Sequence, residues 1–206
     1  MSFISRNCLF ILVFLGFSFF LMSKHANADL VLASFSGGSF GATNVNQTNS
    51  FNIVVGPQDV FISQLGFFDH NADGLLASHE VGVWNSSGTL VTSAIVPSGT
   101  SAQLVGQWRM VEIASIRLKS AETYLIGAQV FGDRYVFNGE NGVYDDAVGP
   151  VSPGGSLTNG SGLNFPTNPT GGRFNANATI SAVPEPSSFV LLVATSCVVF
   201  GKRRRR

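Results

Sequence analysis

Short apolar runs rich in β-branched and aromatic residues alternate along most of the chain with Gly, Ser, Asn and Pro. Such closely spaced punctuation is a strand pattern, and helical periodicity is hard to find in it. The runs predict strands over residues 30–35, 50–55, 60–68, 80–84, 89–96, 104–113, 123–131, 135–137 and 178–182. Asn85-Ser86-Ser87-Gly88 predicts a tight hairpin between two of them. Only residues 115–122 leave room for a helical turn. Residues 36–49 read as a polar loop. Residues 147–175, dense in Gly, Pro, Asn and Ser, read as a long loop or a segment packed over one edge, with Phe165 and Phe174 available to pin it. The expected fold is all-β: a single β-sandwich, jelly-roll-like or Ig-like, flanked by an N-terminal signal helix and a C-terminal transmembrane helix.

The two ends break the pattern. Residues 1–28 carry Arg6, an apolar stretch from Leu9 to Met22, and then Ala26-Asn27-Ala28. A basic start, an apolar middle and a small-x-small ending is the layout of a secretory signal peptide. The competing reading is an uncleaved anchor, for which the run is short. At the other end, residues 187–201 are uncharged and precede Lys202, Arg203, Arg204, Arg205 and Arg206. Fifteen helical residues span roughly 22 Å, short of a ~30 Å hydrocarbon core, a gap closed by snorkelling cations and bilayer thinning. The basic cluster resists translocation and marks a membrane stop. The chain therefore divides into a signal peptide (1–28), an extracellular body (29–183) and a C-terminal tail (184–206).

The overall charge balances, with 12 basic and 12 acidic residues among 206. Only 12% of residues are charged, against about 25% in an ordinary soluble domain. This excludes a charge-rich disordered chain and a basic nucleic-acid binder. The body by itself has five basic against eleven acidic residues, a net charge of −6, which disfavours polyanionic partners. Both cysteines, Cys8 and Cys197, lie in the end segments, so the body must hold together without disulfides.

Two resemblances follow from these residues. Pro184, Glu185 and Pro186, a short apolar run and a terminal arginine cluster, in that order, resemble the PEP-CTERM sorting signal. A similar tail is also labelled as the C-terminus of ice-binding proteins, and no ice-binding claim follows from that. The resemblance covers residues 183–206. It implies export by a bacterium that makes extracellular polysaccharide, recognition and cleavage near the motif by an integral-membrane exosortase, and release to the cell surface or matrix. The second resemblance runs over roughly residues 50–150. It rests on Asp69, Gly74, Leu75, His79, Val81, Gly82 and Trp84 within LGFFDHNADGLLASHEVGVWNSSGTLV, followed by TYLIGAQ. These look like an uncharacterised β-sandwich domain of exported bacterial proteins. With no activity attached to that domain, it implies fold more than function.

One stretch carries a chemical motif. Residues 69–80, DHNADGLLASHE, match D-x-[DN]-x-[DN]-G-x5-E. Asp69, Asn71 and Asp73 would offer side-chain oxygens to calcium, Leu75 its carbonyl and Glu80 a bidentate carboxylate, with Gly74 at the sharp turn. The flanks look like strands, so this is no EF-hand. The alternative is a polar turn in which Asp69 and Asp73 accept backbone N–H bonds. His70 and His79, the only histidines of the body, are too few for zinc without cysteine, and His79 reads as a structural hydrogen-bonder at a strand start. Nothing resembles a nucleophile elbow. Asp145-Asp146 reads as a solvated loop, and a glycosidase pair among Glu112, Glu122 and Glu140 has no geometry behind it.

The expected function is that of a non-catalytic surface or matrix protein associated with polysaccharide. The alternative is a calcium-dependent carbohydrate-binding module using Trp84, Trp108 or Tyr144. A Trp exposed beside the 69–80 loop would favour the binding module, and a buried one the structural protein.

Overall fold

The computed structural model describes residues 29–41, 44–149 and 154–182. The signal segment, Pro184-Glu185-Pro186, the apolar run and the terminal arginines lie outside them. The described residues form strands β1 (Asp29–Leu30), β2 (Leu32–Phe40), β3 (Gln47–Val55), β4 (Val60–Phe68), β5 (His79–Asn85), β6 (Leu90–Val96) and β7 (Gln103–Val105). These are followed by β8 (Trp108–Leu118), β9 (Thr123–Val130), β10 (Val136–Tyr144), β11 (Val148–Gly149), β12 (Gly154–Asn159), β13 (Asn168–Gly171) and β14 (Ala176–Ala182). One sheet has the order β1-β14-β4-β8-β7. The other runs β13-β12-β3-β9-β5-β6, with β11 also paired to β3. Every pairing between these strands is antiparallel.

The described residues are all-β, and their two sheets pack as a sandwich because each alternates apolar and polar positions and buries the apolar face. Phe51, Ile53, Val81, Val83 and Ile126 come from one sheet, and Ile62, Leu65, Phe67, Trp108 and Ile180 from the other; all are buried. A two-stranded ribbon, β2 with β10, closes one side. From it Phe35 packs on Phe68, Trp108 and Phe174.

Three expectations need correction. Residues 115–118 continue β8, and the turn begins at Lys119, whose carbonyl accepts the Glu122 N–H. The 36–49 segment is mostly strand, with β2 running to Phe40 and β3 starting at Gln47. The 147–175 segment holds β11, β12 and β13. These strands hide from a hydrophobicity reading because their Gly-, Asn- and Pro-rich sequence joins the sheet through backbone groups, β11 and β12 against β3 and β13 against β12. Between β12 and β13 the chain folds over the outer face of the sheet, where Phe165 meets Trp84 edge-on. Phe174 is in the core.

Strand direction sorts the molecule into two ends. Asp29 lies opposite Ile180, and Ala182 lies opposite Val60. Asp29 and Ala182 therefore lie at the same end of one sheet. Phe68, at the far end of β4, lies opposite Trp108 and leads into the 69–78 loop. Nine residues of β4 put these two ends roughly 25–30 Å apart.

Candidate functional site

The 69–80 segment joins the two sheets at the end remote from Asp29 and Ala182. Ala72 and Gly74 both take positive φ, 60° and 109°. A Cβ on Gly74 would stand 3.0 Å from the Thr100 side chain, so this turn needs glycine on two counts. Leu75 and Gly99 exchange backbone hydrogen bonds, at 3.2 and 2.7 Å, and Leu75 is buried in the core.

The proposed calcium ligands are not gathered round one point. Asp69 is 2% exposed. Its Oδ2 accepts the Gly74 N–H at 3.0 Å and the Arg109 Nε–H at 2.8 Å. The Leu75 carbonyl is taken by Gly99. Glu80, on β5, accepts a hydrogen bond from Ser93 of β6 at 2.9 Å. Asn71 and Asp73 are exposed on the loop. Among the described residues no three His, Cys, Asp or Glu side chains could hold a metal ion.

The cation of this loop is a side chain. Arg109, buried at 6% exposure, reaches from β8 to Asp69 and gives its remaining N–H groups to carbonyls. Nη2 donates to Ala72 at 3.1 Å, and Nη1 to Ala102 at 3.3 Å and Thr100 at 3.5 Å. A guanidinium thus supplies positive charge to one carboxylate and three carbonyls, the kind of oxygen set that a calcium ion would otherwise collect. A calcium ion placed at Asp69 would meet this cation, so the donor set does not fit it.

A second clasp stands beside the first. Asp133 follows β9, and its Oδ1 and Oδ2 accept the N–H groups of Leu76 and Ala77 at 3.0 and 2.9 Å. Oδ2 also lies 2.8 Å from His79 Nε2. His79 Nδ1 faces the Gln129 carbonyl at 3.0 Å. A carbonyl only accepts, so Nδ1 is the donor to Gln129, and Nε2 faces the Asp133 carboxylate. The His79 ring is stacked on Phe67 of the facing sheet, with centroids 3.6 Å apart. Burial pushes the Asp133 carboxyl up, but the hydrogen bonds from His79, Leu76 and Ala77 together outweigh it and hold the carboxyl below its ordinary value.

Between the clasps lies a cleft of about 280 Å³, whose lining includes Phe68, His70, Asn71, Asp73, Leu76 and Arg134. His70 packs against Phe40, with centroids 3.9 Å apart. Both tryptophans are buried: Trp108 completely, and Trp84 beneath the 160–167 segment. Neither offers a face to a sugar. Tyr144 lines a separate cleft of about 500 Å³ with Asp29, Asp145 and Asp146, and burial pushes its hydroxyl up to about 12.

Arg109 and Asp133 are the residues that sequence reasoning missed. The signal available was the single basic residue inside the apolar run 104–113, which also holds Glu112, and an acid in a Gly-Asp-Arg turn far along the chain.

No protein-family model matches this chain, and no curated protein does. Among solved structures, the chain is similar to a family 35 carbohydrate-binding module from an environmental isolate. The identity is 16% and the TM-score 0.28, over 66% of this chain and 88% of the module.

Proposed function

We propose that this chain is an exported, non-catalytic surface or matrix protein. Its signal peptide carries it across the membrane, and its PEP-CTERM-like tail hands it to an exosortase for sorting and cleavage. We take the body as a jelly-roll-like sandwich, a reading supported by strands β3, β4 and β5, which switch sheets each time.

The observation that carries the proposal is strand direction. Asp29 and Ala182 lie at one end of one sheet, which supports a reading in which both end segments attach on that side and the 69–80 loop faces away from the membrane. The non-catalytic reading is supported by the way the polar groups are used. Asp69, Arg109, His79 and Asp133 are all engaged in holding backbone or one another. Two buried tryptophans favour a structural body over one that binds sugar through a Trp face.

Mass spectrometry of the protein from envelope and medium tests this reading. The expected mature form begins at Asp29 and ends near Pro184-Glu185-Pro186. Recovery of Arg206 in a mature membrane-bound species would overturn the processing, and soluble intracellular chain still carrying Met1 would overturn export.

A further inference from the structure

We infer that the cleft between the two clasps is a calcium-independent binding site for an uncharged sugar unit of a polysaccharide, held between Asp73 and Arg134. The inference adds a ligand to the outward end of the proposed surface protein. It rests on that reading only in that the polysaccharide lies outside the cell.

The polar groups of the cleft divide into two kinds. Asp69 and Asp133 are consumed in building its walls. Asn71, Asp73 and Arg134 line it, are exposed, and make no hydrogen bond or ion pair with another described residue. Asp73 and Arg134 have opposite charge, yet they do not meet. A carboxylate that only accepts and a guanidinium that only donates therefore share one gap of about 280 Å³. A group that fills it must present donors to one side and acceptors to the other. Neighbouring hydroxyls on a sugar ring do both, and the amide of Asn71 can serve either role.

The surroundings narrow the class further. Asp69 and Asp133 are already held by Arg109 and His79, and the free charges left in the lining, Asp73 and Arg134, cancel, so an anionic ligand such as a phosphate or a uronic acid meets no net positive charge. A bare metal ion lacks its ligand set. The cleft also has an apolar side. Leu76 of the lining is 78% exposed, and Phe40 stands behind His70 of the lining. Ligand pockets combine such apolar walls with a few convergent polar groups. The C–H face of a sugar ring needs such a neighbour. The cleft lies at the small end of ligand pockets, which suits one ring of a chain rather than a long groove.

The test is a titration of the full chain, purified in detergent, with neutral gluco-, manno- and galacto-oligosaccharides, and with uronic-acid oligosaccharides alongside. We expect saturable binding of at least one neutral oligosaccharide, unchanged by a calcium chelator. Asp73→Ala and Arg134→Ala should each weaken it by about tenfold or more while the thermal midpoint stays at the wild-type value. Ser86→Ala, exposed at the opposite end, should leave binding as it was. Binding of none of the neutral probes, binding of the uronic acids alone, or indifference to both cleft substitutions overturns the site. The titration uses purified chain, so its result is independent of whether the termini are processed as proposed.

Discussion

Arg109 occupies the centre of the 69–74 loop, and its effect is measurable. It offsets a carboxylate that is almost wholly buried and satisfies three carbonyls. Replacing it with Ala leaves Asp69 charged and unpaired in the interior. Breaking a buried pair from one side costs about 3–5 kcal/mol, so Arg109→Ala should lower the denaturant midpoint sharply or abolish folding. Arg109→Lys should recover part of the loss, because a point charge replaces a planar fork. Wild-type protein should show the same thermal midpoint in calcium and in chelator. A rise with calcium would mean that the loop recruits a metal despite the guanidinium. The motif in residues 69–80 was legible as a sharp turn with an acid at its start and a glycine at its bend. What neutralises that acid was not, because the partner lies 40 positions away in the chain.

Among the elements, the β2–β10 ribbon depends on two asparagines that no hydrophobic pattern singles out. Asn177 Nδ2 donates to the Leu32 carbonyl at 2.8 Å, and its Oδ1 accepts the Leu32 N–H at 3.1 Å. Asn175 does the same for Val136, at 3.2 and 2.6 Å. Each side-chain amide imitates the rung of a strand ladder and ties the ribbon to the start of β14. Asn177→Leu has nearly the same size but leaves a buried donor and acceptor unsatisfied. At about 1–3 kcal/mol for each group, a loss of several kcal/mol is expected in urea unfolding, and a loss under 1 kcal/mol would show that water replaces the amide. Asn177 also begins an Asn-x-Thr sequence, and its complete burial closes it to glycosylation in the folded state. By contrast, the 85–88 hairpin was readable in advance. Asn85 Oδ1 accepts the N–H groups of Ser87 and Thr89, and Gly88 has φ 84°. All of that chemistry lies within five residues.

For the whole molecule, stability responds at both limits of pH. Asp133 has a depressed carboxyl value in the fold. Its contribution is therefore complete above the unfolded value of about 3.9 and is lost as pH falls below that toward the folded value. Asp59, held down by the Ser120 N–H and by Arg117, adds to the same acid limb. Chemical denaturation at a series of pH values should show stability falling below about pH 4, and Asp133→Asn should flatten that limb. Tyr144 works in the other direction. Its folded value of about 12 exceeds the ordinary ~10, so its contribution is complete below about pH 10 and fades as pH rises through 12. Tyrosinate absorbance in the native protein should show a late-titrating phenol that Tyr144→Phe removes. If all three tyrosines titrate together near 10, the hydroxyl is not shielded.

The apolar core strands, the hairpin, the lack of cysteine in the body and the contrasting composition of the ends were legible in the sequence alone, since each is a local pattern of apolarity, turn chemistry or charge. Only the tertiary structure decided that β12 and β13 extend the sheet, that Arg109 and Asp133 clasp the same loop, that Trp84 is covered by the 160–167 segment, and that Asp29 and Ala182 lie at the end opposite the cleft. Each of these joins residues far apart in the chain through backbone pairing or a buried charge. Such contacts depend on where strands lie in space and leave no periodicity along the chain to be read.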